Sequence, residues 1–346
     1  MRIVGHTNDS CQFDSLVTLI NEVYRDYPEY AQSRASRVAT ALDPMNPFFQ
    51  YGTYQGFLAY SGGRPVAHAC AIIDRRMDPA VGLIGFFESL PDKAYAQAVL
   101  REAIDSLAGQ GVRAIRGPVD LTTWNGFRVS YPEESPPFSL EPFTRAYYRS
   151  FFHEQGFSVA QRNVSTLHGA DQVSFQGYRP HFEALQARGF VFERAEEHRL
   201  PAVLPQVHRL VLQCFADTWS FVPISFEEFQ YTFADPSQPF SEALIYVAYN
   251  PAGEPVGFCF GSLDWPHCGK RAIVKSVAVV PMQRRLQVAR ALLYCVYLAG
   301  RERGASEFIL STMRDDNKQV RALTWGARKT YRQYEVYQLA LEGRCL

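Results

Sequence analysis

Residues 271–293, RAIVKSVAVVPMQRRLQVARALL, constrain this chain more than any other stretch. The run at 273–280 is rich in β-branched residues and predicts a buried strand. Pro281 ends it, because proline has no N–H to give to a sheet ladder. From Val288 the apolar residues Leu292, Cys295, Val296 and Ala299 follow at helical spacing, so a helix is expected. Between strand and helix lies a short turn, 282–287, with Arg284 and Arg285 on it. The first amides of a helix have no partner inside it and form the positive end of its dipole. A strand–turn–helix with two arginines in the turn is a natural seat for phosphate.

The rest of the composition narrows the class of protein. A length of 346 residues predicts two or three domains. With 47% hydrophobic and 20% charged residues, the chain reads as an ordinary globular protein. Its formal net charge is zero, which argues against a broad nucleic-acid or membrane-surface partner. Seven cysteines stand apart at 11, 70, 214, 259, 268, 295 and 345, without a CxxC pair or Cys/His ligand spacing, so no structural zinc or other metal is expected. An odd, dispersed set suits a reducing cytoplasm. No secretory leader is visible at Met1, and no apolar run reaches the length of a membrane span.

Along the chain one order of elements is read twice. Residues 12–41 are helical, and Asp43-Pro44-Met45-Asn46-Pro47 is a turn cluster. Strands are expected at 55–60, 66–73 and 82–88, a helix at 95–110 stopped by Gly111, a strand at 112–115 and a helix at 143–155. In the second half, helices are expected at 206–217 and 226–233, and strands at 243–249 and 256–263. The stretches LAYSGGRPV (58–66) and VAYNPAGEPV (247–256) are both strand, polar turn ending in Gly-x-Pro-Val, strand. This predicts two copies of one α+β unit, with the boundary near 165–190 and the segment 172–189 crossing between them.

The stretch at 277–293 resembles the acyl-CoA-binding motif of the GNAT superfamily of N-acetyltransferases. Val277-Ala278-Val279-Val280-Pro281 matches the family's strand, 284–289 its Arg/Gln-x-x-Gly-x-Gly/Ala loop, and 290–293 the helix start. One position departs: Gln287 stands for the first glycine, where the backbone ordinarily approaches the pyrophosphate. More widely the chain resembles a group of tandem-GNAT bacterial proteins. The first half carries this through Asp43 to Phe49, Ile84 to Glu88, Gly117-Pro118, Tyr147-Tyr148 and Gly156-Phe157. The second does so through Trp219, Phe221-Val222-Pro223, Glu228, Asp316-Asn317-Lys318, Gly326-Ala327 and Tyr334 to Tyr337. The resemblance implies an α+β fold of two tandem GNAT-like domains, each a mixed, mostly antiparallel sheet flanked by helices. The N-terminal domain, 1–170, would lack a CoA loop. The C-terminal domain, 180–346, would bind the acyl donor.

What the resemblance implies for function is an N-acyltransferase. It would move an acyl group from a phosphopantetheine thioester to an amine of a small molecule, with specialised-metabolite biosynthesis as one setting. Acyl transfer needs an extended pantetheine arm, a donor for the carbonyl oxygen, a neutral amine and a proton for the leaving thiolate. In this family the arm lies in a gap between two splayed parallel strands, here 273–280 and 307–313. Backbone groups of Val277 and Val279 would hold it. Arg284, Arg285, Gln287, Val288 and Ala289 would hold the phosphate, and Asn317 would contact the pantetheine or cap the last helix.

Tyr331 is the candidate general acid, since the family's usual tyrosine position is Thr324 here; Tyr334 and Tyr337 read as packing. Lys275 and Ser276 stand where the family often has a glutamate, so that stretch supplies no carboxylate. Asp217 is the candidate base; Asp264 and His267 read as turn residues. Trp124 in the 120–126 loop, with Trp219 and Phe221, is expected to wall the acceptor pocket. Gln287 leaves the donor open between acyl-CoA and the arm of an acyl-carrier protein, whose acidic helix Arg284, Arg285 and Arg290 would face. Two further readings are an aminoacyl-tRNA-dependent transferase, disfavoured by the neutral charge, and a non-catalytic GNAT-fold binding protein.

Overall fold

The computed structural model describes residues 1–8, 12–170, 176–233, 243–264, 267, 269–317 and 329–341. The first half begins with β1 (Arg2–His6), α1 (Phe13–Val23), α2 (Pro28–Leu42), β2 (Gly52–Ser61), β3 (Arg64–Asp74), β4 (Val81–Ser89), α3 (Lys93–Gly109) and β5 (Ala114–Gly117). Three short strands follow, β6 (Val119–Asp120), β7 (Gly126–Phe127) and β8 (Val129–Tyr131), then α4 (Tyr148–Glu154) and β9 (Ser158–Gly169). The second half runs α5 (Arg179–Ala187), β10 (Val191–Arg194), α6 (Leu200–Phe215), α7 (Phe226–Phe233), β11 (Ala243–Tyr249), β12 (Pro255–Leu263), β13 (Arg271–Val279), α8 (Val288–Glu302), β14 (Glu307–Arg314) and β15 (Lys329–Ala340).

Local chemistry accounts for most of these elements. In α3, Asp92 caps the start by accepting from Ala94 N at 2.8 Å, and Gly111 follows the end in the left-handed region at φ 82°. Its buried side chains Ala96, Val99, Leu100, Ala103, Ile104 and Leu107 recur at 3–4-residue spacing and cover β2, β3 and β4. Helix α8 is buried on most sides and packs on β11, β12 and β13, with α5 against it. Gly261 of β12 permits that approach: a Cβ there would stand 2.6 Å from the Ile273 carbonyl oxygen and 3.0 Å from Val296.

Twelve of the strands line up as β1-β2-β3-β4-β5-β15-β9-β14-β13-β12-β11-β10, one continuous sheet in which β8 also pairs β15. The two halves give the expected repeat, four antiparallel strands and then a parallel step, at β4–β5 and at β13–β14. The last strand of each half, however, lies beside the other half. β9 hydrogen-bonds β14 along Glu307↔Gly169 to Arg314↔Asn163, and β15 hydrogen-bonds β5 along Tyr337↔Gly117 to Ala340↔Ala114. β9 and β15 pair with each other at the centre. This exchange welds the halves through backbone bonds, and a buried ion pair reinforces it. Glu141 and Arg332 are both fully enclosed and meet at 2.8 Å, and Tyr334 OH donates to the same carboxylate at 2.7 Å.

Candidate active site

The parallel strands β13 and β14 pair only from Arg271↔Glu307 to Val274↔Leu310, although β13 runs on to Val279 and β14 to Arg314. Both strands bulge where they part. On β13 the pairing with β12 steps from Gly261↔Val274 to Phe260↔Ser276, leaving Lys275 as the extra residue. On β14 the register with β9 slips between Leu310 and Met313, Thr312 takes φ 50°, and its amide donates to Ser165 Oγ at 3.1 Å. Each bulge turns its strand away from the other, so a forked gap opens in the middle of the sheet.

The wall of the gap is backbone. Val280 N donates to Val256 O at 2.9 Å, so that residue faces β12. Alternation along the strand then turns the N–H and C=O groups of Val277 and Val279 toward the gap. Arg284 Nε donates to Val279 O at 3.1 Å, closing one of these acceptors with a cation. The side chains of Val277 and Val279 pack with the α8 core, and that of Ala278 with the α6 core. Within the fork Ser311 is buried, and among the described residues its hydroxyl has no hydrogen-bond partner.

The turn that follows is a 3₁₀ segment, Pro281–Leu286, ending on Gln287 at φ 67°, ψ 21°. Gln287 therefore holds the left-handed conformation that the family's glycine would hold, at the start of α8. Arg290 N and Ala291 N bond to Gln287 O, while the amides before them lie at the open end of the helix. Arg284 and Arg285 are exposed on this turn. Arg290 is not: its Nη1 lies 3.2 Å from His181 Nε2 and its guanidinium over Tyr178, so it faces α5 rather than the turn.

The matching place in the first half is closed. β4 and β5 pair only from Val81↔Ala114 to Leu83↔Arg116, so they too diverge. Here β6 fills the divergence. Asp120 Oδ1 accepts from Phe86 N at 2.5 Å, and a Cβ on Gly85 would stand 2.1 Å from Val119 O. Arg34 pairs Glu88 at 2.8 Å and Asp120 at 2.6 Å, and Tyr148 OH donates to Glu88 at 2.9 Å.

On the α6 side of the second fork the two halves meet. Trp124 Nε1 donates to Val222 O at 2.8 Å, and its ring contacts Phe221 and Phe229. Trp219 lies under the Arg116 guanidinium, which also donates to Ser220 Oγ at 2.8 Å. Aromatic side chains from both halves thus gather on this side of the fork. Arg76, from the β3–β4 turn, clamps Glu228 of α7 and Asp74 at once. Deeper in, Lys275 Nζ donates to Leu140 O at 2.7 Å. Packing around this amine, with Arg128 and Arg37 nearby, lowers its pKa to about 7 against the opposing pull of Glu141.

Two sequence candidates lie elsewhere. Tyr331, expected as general acid, sits at the paired end of the fork against Phe138, Ile273 and Ile309. Its hydroxyl donates to Pro136 O at 2.6 Å and lies 3.4 Å from Arg271, about 13 Å before Lys275 along a strand rising 3.3 Å per residue. It is an anchor between β15 and the 132–141 segment. Asp217, expected as base, is exposed in the α6–α7 turn, where Thr218 and not Asp217 closes the helix end on Phe215 O. Asp264, read as a turn residue, is fully buried: its carboxylate accepts from Ser139 N at 2.9 Å and lies 2.7 Å from His267 Nδ1. Asn317 ends the described part of the β14 side, its amide bonded to Arg314 O. The helix it would open, with Thr324 and Gly326-Ala327, lies outside the described residues. Among the described residues, no group of three or more His, Cys, Asp or Glu is placed to hold a metal ion, and no helix is long and apolar enough to cross a membrane.

A fork between parallel strands, followed by an arginine turn opening a helix, lies within a tandem GNAT fold, and the chain is an acyltransferase with a GNAT acetyltransferase domain in its second half. Residues 204–324 match the model of the acetyltransferase (GNAT) family. The chain is similar to a bacterial ceramide synthase of Caulobacter vibrioides, 23% identical over 87% of this chain and 88% of that one. Among solved structures it is similar to a tandem GNAT protein from the clavulanic acid biosynthesis pathway. That likeness has a TM-score of 0.59, at 12% identity, over 98% of each chain. A probable N-acyltransferase from Enterococcus faecalis gives 0.60 at 12% identity, covering 99% of this chain and 73% of that one. These structural likenesses carry the fold.

Proposed function

We propose that this protein transfers an acyl group from a phosphopantetheine thioester to the amine of a small molecule, using the fork of its second half. The observation that carries this is the parting of β13 and β14 after Val274 and Leu310. A pantetheine arm is a narrow chain with amides at intervals, and it can pair with the free edge of β13 as an added strand. The Val277 backbone groups and the Val279 N–H then take its amides and the thioester oxygen, replacing lost water with fixed dipoles. Arg284, Arg285 and the amides of Gln287, Val288 and Ala289 receive the phosphate, and Asn317 closes the opposite side.

The division into a unit at 1–170 and one at 180–346, with last strands exchanged, belongs to the same reading. So does the assignment of donor binding to the second unit alone, supported by Asp120 on the Phe86 amide. Gln287 keeps the backbone path of a glycine but adds a side chain beside the pyrophosphate seat. Coenzyme A and a carrier-protein arm, which has one phosphate and no adenosine, therefore remain the two donors to compare. The similarity to a ceramide synthase makes a long-chain amino alcohol, the amine of a ceramide, the first acceptor class to assay. Calorimetric titration with coenzyme A and with a phosphopantetheinylated carrier protein tests the reading. Binding of either supports it, and binding of neither overturns it.

A further inference from the structure

None of the second half's carboxylates placed above lies at the fork, yet the acceptor amine must lose a proton before it attacks. The β13 bulge answers this need. Ile273 faces Phe138 of the first half, and Lys275 reaches Leu140 beside it. Ala278 faces the α6 core, and Ser276 shares that direction by alternation. The extra residue therefore puts Lys275 and Ser276 on one face, that of the α6 core on which Trp124 packs. The same bulge makes Lys275 the first residue of β13 past its last pair with β14, two residues before Val277.

We propose that Lys275 is the proton acceptor for the incoming amine, an assignment that rests on the fork being the thioester site. The neutral lysine has a lone pair, and its N–H bond to Leu140 O aims it from the first half. The groups facing it favour that state. Arg128, between β7 and β8, and Arg37, on α2, repel a charge there. Glu141 pulls the other way but is spent on Arg332 and Tyr334 of β15. Among the described residues the Arg128 Nε is itself buried without a hydrogen-bond partner.

In the step itself, Lys275 takes one proton from the acceptor ammonium. The freed nitrogen pair forms the C–N bond while the carbonyl π pair moves onto oxygen. As that pair returns, the C–S bond breaks and its electrons leave with sulfur. The second N–H proton goes to the thiolate, giving amide and thiol, and the Lys275 proton passes to solvent. The balance needs no co-reactant.

The test separates the lysine from the reading beneath it. The chain has only five lysines, so ¹³C reductive methylation and NMR, assigned with Lys275→Arg, reads the Lys275 titration directly. A midpoint near neutrality is expected; one above about 9.5, close to the ordinary lysine value, overturns the proposal. Lys275→Arg keeps a donor for Leu140 O but cannot deprotonate. With an acceptor that is turned over, it should lose at least about 100-fold in kcat/KM at pH 7, the low end for general base catalysis. Lys275→Ala should lose as much and regain activity with added methylamine or ethylamine. Full activity of Lys275→Arg, absence of rescue, or an acyl adduct on Lys275 in mass spectra would each overturn the role. Loss of coenzyme A and carrier binding in the parent protein would instead remove the donor reading.

Discussion

The carboxylate of Asp120 sits on the amide of Phe86 at 2.5 Å, at the point where the first half's parallel strands begin to part. Among the described residues, no strand pairs with the equivalent stretch of β13 on its β14 side. One fold repeated in one chain thus carries a sealed fork and an open one.

Donor binding should therefore be one to one. Titration with coenzyme A, or with the loaded carrier protein if that is the donor, is expected to give a single site per chain. Two equivalent sites would show that Asp120 yields to a ligand.

Arg284 is exposed on the turn and also bonds the Val279 carbonyl. Arg284→Glu places like charge against phosphate and frees that carbonyl. The Michaelis constant for the thioester donor should rise roughly tenfold or more, since a charge-assisted hydrogen bond contributes about 1.5–3 kcal/mol. An unchanged constant would move the phosphate seat away from this turn.

Gln287 holds φ 67° without a glycine's freedom. Gln287→Gly should stabilise the fold by about 1 kcal/mol, the order of the cost of a left-handed non-glycine residue. It should also tighten coenzyme A binding by removing the side chain beside the pyrophosphate. Urea unfolding and calorimetry measure the two effects, and weaker binding in the glycine variant would count against the crowding argument.

Lys275 couples stability to pH. Its folded pKa is lowered to about 7, whereas the unfolded chain titrates near the ordinary lysine value of about 10.5. Between these values the unfolded state holds the extra proton, so raising the pH favours the folded state. The deficit is complete below about pH 7 and gone above about pH 10.5. Lys275→Met should accordingly flatten the rise in unfolding free energy between pH 7 and pH 10, relative to the parent. A parallel rise in both proteins would contradict the lowered value.

Glu141 and Arg332 tie the 132–141 segment to β15 with both side chains fully enclosed. Glu141→Leu strands the guanidinium and should cost about 3–5 kcal/mol. The double variant Glu141→Leu/Arg332→Met should recover much of that loss. A double variant no better than the single one would show that the neighbouring bonds, and not the stranded charge, set the cost.

Sequence by itself determined the elements whose causes are local. The β-branched run before Pro281, the helical spacing from Val288 and the Asn250-to-Pro255 turn each act within a few residues, and β11, α7 and α8 lie where the pattern places them. The arginine turn was legible for the same reason, and it lies at Pro281–Leu286 with Gln287 opening α8. Only the tertiary structure decided the rest. The exchange of β9 and β15 pairs residues more than 150 positions apart, and nothing in either strand's own pattern names its neighbour. That exchange is why Tyr331 anchors Pro136 instead of facing the fork. The bulge at Lys275 depends on the register of β12, and the lysine's environment on a carbonyl 135 residues earlier. A side chain's charge state is set by what is packed around it, and packing between distant segments is the one thing a linear reading does not contain.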